Sequence, residues 1–571
     1  NTADNLNGQI FLDYTFLNDF NFRYNVSADL FSRHRVDFDT GVGGDAGGVD
    51  GRSTPSALRD FTKTQQQLLT WNKKYGNHKI EILLGHENSQ EDFVFLSGEK
   101  TTFLLPQETV LNQGINIQDL TNYEWQYAVE GYFSRINYDF NNKYFLNASF
   151  RRDASSVFSP DNRWGNFYGG GLAWRISEED FLKESNIINE LKIKSSFGEQ
   201  GNDRILYSDS TTLRNFLAYQ DQYTVTNNNG AFGLSLTYQG NEDLTWEKSR
   251  NFNVGFELGL FNDRITIDTE YFTRKVTDLL FNTPQPPSSG LPSFPENIGD
   301  MQNIGFEFDV QADVYKGNDL NISFNLNGTH FKNEITSLPR EFIDAGVYRY
   351  EEGRSIYDYY RREFMGVNPA NGAALFKKNI LDANSEPTGQ TELTEDYSEA
   401  DEYFLDKTSI PDLYGGFGTS ISYKNWDFGL NFAYQVGGYG RDNTYFGLLS
   451  GSAGTNYHND LFTETWTVDN TLAPLPVVVP NNDLNYYNGS SLQLIDASYL
   501  SLQDINLSYS FDTDLTEKLG ISSLKLYTTI NNVYLWSKRQ GYDPRLNITG
   551  TNSDNNFSLV RNATIGVNLK F

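Results

Sequence analysis

The sequence predicts an all-β protein, a transmembrane antiparallel β-barrel. Three observations carry that prediction: apolar residues at every second position, aromatic strand ends, and connections that alternate between short and long. Phe22, Tyr24, Val26, Ala28 and Leu30 interleave with Asn21, Arg23, Asn25, Ser27 and Asp29. Ile304, Phe306, Phe308 and Val310 interleave with Gly305, Glu307, Asp309 and Gln311. Leu320, Ile322, Phe324 and Leu326 do so with Asn321, Ser323, Asn325 and Asn327, and Trp426, Phe428, Leu430, Phe432 and Tyr434 with Asp427, Gly429, Asn431, Ala433 and Gln435. Successive strand side chains point to opposite faces, so period two makes one face apolar and the other polar. A two-sheet sandwich alternates as well. The runs here, however, extend over about 10–14 residues, where globular strands average about 5–6.

The connections supply the stronger argument. Short ones fall at 17–19, 75–77, 141–142, 261–262, 315–319 and 424–425, and two more, 177–188 and 512–521, read as single helical turns. Long ones fall at 32–60, 93–122, 153–163, 203–247, 282–300, 335–412, 441–497 and 537–556. Short periplasmic turns opposite long extracellular loops is the organisation of bacterial outer-membrane barrels, and a sandwich has no reason to keep that parity. The pattern gives about 17 strands. Bacterial single-chain barrels close with an even number, and an open sheet edge is not tolerated in lipid, so further strands are expected upstream or from another chain.

Composition agrees. Aromatic residues make up 15% of the 571, with 42 Phe and 35 Tyr, while the mean hydropathy is only −0.54. No stretch approaches the roughly 20 apolar residues of a membrane helix, a criterion that does not touch barrel strands. Without cysteine there can be neither disulfides nor thiolate metal sites. A formal charge of −29 argues against nucleic acid as a partner. The chain opens at Asn1 without a basic and apolar leader, so its start is expected to be a boundary within a longer protein.

Longer segments carry a resemblance. They include Arg151-Arg152-Asp153-Ala154-Ser155-Ser156, Asn162-Arg163-Trp164-Gly165, Ala173-Trp174-Arg175-Ile176, and Leu191-Lys192-Ile193-Lys194-Ser195-Ser196-Phe197-Gly198 ending in Gly201-Asn202. Asn241-Glu242-Asp243-Leu244-Thr245-Trp246-Glu247, Asn297-Ile298-Gly299-Asp300, Tyr499-Leu500-Ser501-Leu502, Asn531-Asn532-Val533-Tyr534 and Gly541-Tyr542-Asp543-Pro544 follow in order. The series resembles the SusC/RagA-type TonB-dependent outer-membrane transporters of Bacteroidota. That resemblance implies a 22-stranded barrel in the cell outer membrane, of which this chain would supply 17 strands. It also implies a plug, a TonB box and first strands outside residues 1–571, contact with TonB through that absent N-terminal region, and a SusD-like surface lipoprotein as partner. The implied function is import of an oligosaccharide or oligopeptide; a scaffold subunit of a secretion or barrel-assembly complex is the alternative. The terminal Phe571 resembles the signal by which barrel-assembly machinery recognises its clients.

No enzymatic constellation is found, and no cofactor or metal is expected. The five histidines are scattered, and His86-Glu87 lacks the second histidine of a zinc-binding helix. Gly41-Val42-Gly43-Gly44-Asp45-Ala46-Gly47-Gly48 lacks the Lys-Ser/Thr ending of a phosphate loop and reads as a flexible outward loop. Gly366-Val367-Asn368-Pro369-Ala370-Asn371-Gly372 lacks the acidic ligands calcium needs. The proline-rich 284–295 stretch reads as a stiff loop or docking surface. The outward loops concentrate aromatic residues that could stack on sugar rings or grip peptide side chains: Tyr348, Tyr350, Tyr357, Tyr359 and Tyr360; Tyr457, Phe462 and Trp466; Tyr486 and Tyr487. Packing between loops, or against the partner lipoprotein, is the competing role for each.

Overall fold

The computed structural model describes residues 1–105, 109–207, 213–228, 230–449, 456–478, 489–518, 520–553 and 557–571. Seventeen long strands form the large sheet. Eight come early: β1 (Thr2–Phe16), β2 (Phe20–Asp39), β3 (Arg52–Tyr75), β4 (His78–Phe103), β5 (Gly114–Phe140), β6 (Tyr144–Ser155), β7 (Trp164–Arg175) and β8 (Ile188–Asn202). The others are Glu247–Leu260, Ile265–Thr277, Asp300–Lys316, Leu320–Ser337, Leu413–Tyr423, Trp426–Val436, Tyr499–Ser510, Ser523–Ser537 and Asn562–Lys570. Among the described residues no helix is long and apolar enough to cross a membrane.

The chain divides into two compact units: residues 1–178, 194–252 and 275–300 form one, the remainder the other. In the first, β1 to β7 pair in sequence order, every pair antiparallel. Their tight turns use left-handed backbone at Leu17 and Asn18 and again at Asn141 and Asn142, where the twist of a two-residue hairpin demands it. Register lines up Asp13 with Arg23, Leu83 with Arg135, and Asn137 with Asn147 on one face, and Ile80 with Tyr138 and Ile82 with Ile136 on the other. At the short-turn end of the apolar face the rings run together: Tyr14 and Phe16 lie 5.8 Å apart, Phe16 and Phe20 5.4 Å, and Tyr144 and Trp174 6.3 Å.

The second unit repeats the scheme. Ile322, Ile421 and Phe428 align across three strands as an apolar row, flanked by the polar row Asn321, Ser422 and Asp427. Trp426 and Tyr509 again mark the short-turn end, 4.8 Å apart. On the final strand Ile565 is 80% exposed, and Val567 and Leu569 are also exposed. A contiguous apolar exterior of this kind has no place in water and suits lipid.

Two expectations are revised. The β2–β5 strands run through much of the segments 32–60 and 93–122 that read as loops, reaching 20 to 27 residues. Alternation fades there because a strand beyond the lipid no longer needs an apolar face, while its hydrogen-bond ladder continues. The glycine-rich run 41–48 closes into a hydrogen-bonded turn, Gly51 N–H donating to Ala46 O at 3.0 Å, with Ala46 buried. The two longer turns contain short helical pieces as expected, Ile176–Glu178 and Thr513–Lys518.

Candidate ligand-contact loops

Segments that are distant in sequence meet above the strands of the first unit. The Trp246 indole N–H donates to Arg163 O at 2.8 Å, and its ring packs on Phe158 and Phe167 in a buried cluster with Val157, Ile205 and Leu244. Asn297 accepts from Thr245 N–H and donates to Thr245 O, both at 2.8 Å. Asp203 is buried, accepts from Tyr127 and Ser155, and pairs with Arg214 at 2.6 Å. Strands Leu280–Pro284 and Ser293–Asn297 turn the proline-rich stretch into a hairpin, which Asn241 holds through a hydrogen bond to Pro295 O. The segments that carried the family resemblance are therefore largely mutual fasteners.

In the second unit five of the candidate tyrosines converge. Tyr348 and Tyr350 lie on one short strand and Tyr359 and Tyr360 on another, Asp358–Arg362. Tyr359 is fully buried; its hydroxyl lies 3.1 Å from Tyr439 O and 3.4 Å from Thr549 O. Tyr348 packs on the rings of Tyr359 and Tyr357. Arg349 lies 3.8 Å over the Tyr360 ring and also donates to its hydroxyl, while Phe404 meets the ring edge-on. Burial pushes the phenols of Tyr350, Tyr357, Tyr359 and Tyr360 above their usual range. These rings hold the loop together, and Tyr359 presents no face to solvent.

Trp466 lies against the turn at Gly372, whose left-handed backbone and the absence of a Cβ let the indole approach; the indole N–H donates to Pro369 O at 3.2 Å. Tyr457 and Phe462 are exposed, the latter at 77%. Tyr486 and Tyr487 lie outside the described residues. Phe571 is exposed just past the last strand. Among the described residues no three acidic or histidine side chains converge as a metal site.

Sequence reasoning missed the charged fasteners between these loops. Arg539 pairs with buried Asp442 at 2.6 Å and lies 3.5 Å over the Tyr445 ring. Arg545 pairs with buried Asp543 at 2.7 Å and donates to Ser501 Oγ. It also missed the stack Phe93–Trp125–Phe216, with ring separations of 4.7 and 4.0 Å. The pairing of Phe93 with Trp125 follows once β4 and β5 are extended into their loop; the contribution of Phe216 has no local signal.

A seventeen-strand antiparallel sheet with an alternating apolar face and aromatic strand ends has the pattern of an outer-membrane β-barrel protein. A family profile described as TonB dependent receptor-like, beta-barrel, matches residues 1–533, and the chain belongs to that family. "TonB-dependent receptor P3" of Formosa agariphila is 29% identical, the match covering 100% of this chain and 58% of that protein. "TonB-dependent receptor SusC" of Bacteroides thetaiotaomicron is 29% identical over 75% of this chain and 42% of that protein. The solved "Structure of the RagAB peptide transporter" superposes with a TM-score of 0.88 at 25% identity, covering 100% of this chain and 62% of that one. The SusC/RagA type is thereby established, and with it an outer-membrane location. The family is one of receptors and transporters rather than enzymes. The chain spans about half the length of the curated relatives it matches.

Proposed function

We propose that the protein imports a bulky nutrient, an oligosaccharide or oligopeptide, across the outer membrane, driven through TonB and in partnership with a SusD-like surface lipoprotein. The observation that carries this reading is the likeness over the whole chain to the RagAB peptide transporter. In this reading residues 1–571 are the barrel wall and its loops, and the plug and TonB-contacting segment belong to the rest of the full-length protein. Tyr457 and Phe462 are the candidate ligand contacts with exposed rings, and Trp466, half-buried against Gly372, is a third candidate. Tyr357 and Tyr360 are further candidates in the same unit, fully buried Tyr359 supports its neighbours without touching ligand, and Tyr486 and Tyr487 are candidates on sequence grounds alone.

The test is deletion of the gene followed by growth on defined oligopeptides or oligosaccharides, together with purification of the native complex. Loss of growth on one nutrient class and recovery with one lipoprotein support import. Unchanged growth and recovery with many envelope proteins would instead favour the scaffold role.

A further inference from the structure

The strand Ser523–Ser537 pairs with Tyr499–Ser510 as far as Ser537, but with the final strand only as far as Asn531, which meets Asn562. Among the described residues its last stretch, 532–537, has no ladder partner on that second side. Two side chains bridge the gap instead: Arg561 donates to Val533 O at 2.5 Å, and Asn532 donates to Val560 O at 3.1 Å. A cavity of about 590 Å³ lies along this edge, closed by Arg539, Gln540, Ser558 and Arg561. Tyr534 and Trp536 form part of its wall, their rings 4.7 Å apart and 53% and 47% exposed.

Cross-strand partners fix which way these rings face. Phe432 stands opposite Leu502 and Leu502 opposite Tyr534; Tyr434 stands opposite Leu500 and Leu500 opposite Trp536. Residues directly opposite share a face, so both rings belong to the lipid-facing row of Leu430, Phe432 and Tyr434. Tyr434 lies eight residues beyond Trp426 of the short-turn girdle. That is about 26 Å of tilted strand, which brings the row of Trp536 near the outer rim of a lipid band about 25 Å tall. The lining holds three arginines against one aspartate, in a chain of net charge −29. Arg545 pairs with Asp543, and Arg539 is held by Asp442. Arg561 is exposed and has no carboxylate partner among the described residues. Outward aromatic rings beside such an arginine, at headgroup depth, fit a sugar that carries an anionic group. Anything inside the barrel lies on the other face of the wall, so the occupant is a lipid. Its acyl chains would lie on the exposed Ile565, Val567 and Leu569.

We propose that this cavity binds the phosphorylated sugar headgroup of an outer-leaflet glycolipid, Arg561 taking the phosphate and Tyr534 and Trp536 the face of the sugar. The site faces lipid and does not depend on the import reading above.

The test uses the full-length protein with its co-purified partner, stripped of lipid in detergent, and native mass spectrometry of the lipid it rebinds. Bis-phosphorylated lipid A is expected to bind about tenfold tighter than its dephosphorylated form, the size of a charge-assisted pair. Arg561→Gln is expected to abolish that preference, and Trp536→Ala to weaken both forms about tenfold. Should Arg561→Gln fail to insert, Ser558→Asp gives a second reading, since a carboxylate added to the cavity should lower the preference several-fold. Equal binding of the two lipids, no binding of either, or an unchanged ratio in the Arg561 and Ser558 variants overturns the proposal. Glucosamine 1-phosphate, soluble and without acyl chains, binding as tightly as lipid A overturns the lipid assignment.

Discussion

The guanidinium of Arg539 closes on the carboxylate of Asp442 at 2.6 Å, joining residues 97 positions apart. Asp442 has a side chain only 3% exposed, and its other oxygen accepts from the Tyr445 N–H at 3.2 Å, at the start of the helix Asn443–Leu449. One buried carboxylate thus anchors the loop 538–553 and caps a helix in another loop.

Asp442→Asn is therefore expected to loosen both loops together, at a cost of about 2–3 kcal/mol, because Arg539 is left without its counter-ion while still partly exposed. Hydrogen exchange checks this: protection should fall in the helix Asn443–Leu449 and in residues 538–553, and stay unchanged in the wall strands.

Charge on the outward row tests the lipid-facing assignment. Leu430 lies on that row, opposite Thr419 and Ile505, midway between the rings of Trp426 and Tyr434. Leu430→Arg should destabilise the barrel by about 2–4 kcal/mol. Ser420→Arg, on the polar row opposite Gly429, should be well tolerated. Heat-modifiable migration of the folded barrel in gels distinguishes the two, and equal loss in both would contradict the facing assigned here.

Alkaline pH should release part of the loop 338–412. Tyr403 donates to Asn379 Oδ1 at 2.9 Å, and burial, followed by the charges of Asp401 and Glu363, pushes its phenol up to about 12. The unfolded value is about 10. A raised folded-state value means the stabilisation is complete below pH of about 10 and is lost as pH rises toward about 12. Phenolate absorbance should show Tyr403 among a group of late-ionising tyrosines, and Tyr403→Phe should remove one tyrosine's amplitude from that late phase.

Loss of the terminal ring tests the assembly role proposed for Phe571. The side chain is 86% exposed, so Phe571→Ala removes no internal packing. The amount of folded barrel in the outer membrane should drop, while refolding of purified protein in detergent should be unaffected. An equal defect in detergent would make Phe571 a stability residue instead.

Much of the wall could be read from the chain because its information is local. Alternation fixes which residues face which way, since the side-chain period is two whatever the neighbours do. Asn-rich tight turns such as Asn141–Asn142 announce hairpins because their left-handed backbone has few other uses. The same locality explains the misreading of β3 and β4. Their outer ends carry runs such as Arg52–Ser56 that lack an apolar face, and only pairing with the neighbouring strand keeps them extended.

The loops are the reverse case. Tyr348, Tyr357, Tyr359 and Tyr360 stood out as a cluster of rings, yet nothing in their spacing said which would be buried. That was decided by the carbonyls of Tyr439 and Thr549, brought in from 80 and 190 residues away. By itself the sequence determined a lipid-facing barrel wall, its hairpins, and its membership of a transporter family. The tertiary structure alone decided which aromatic rings remain accessible and which charges are buried in pairs, as at Arg539 and Asp442. Burial and ion pairing are properties of side chains that meet across long loops, and no short window of residues records them.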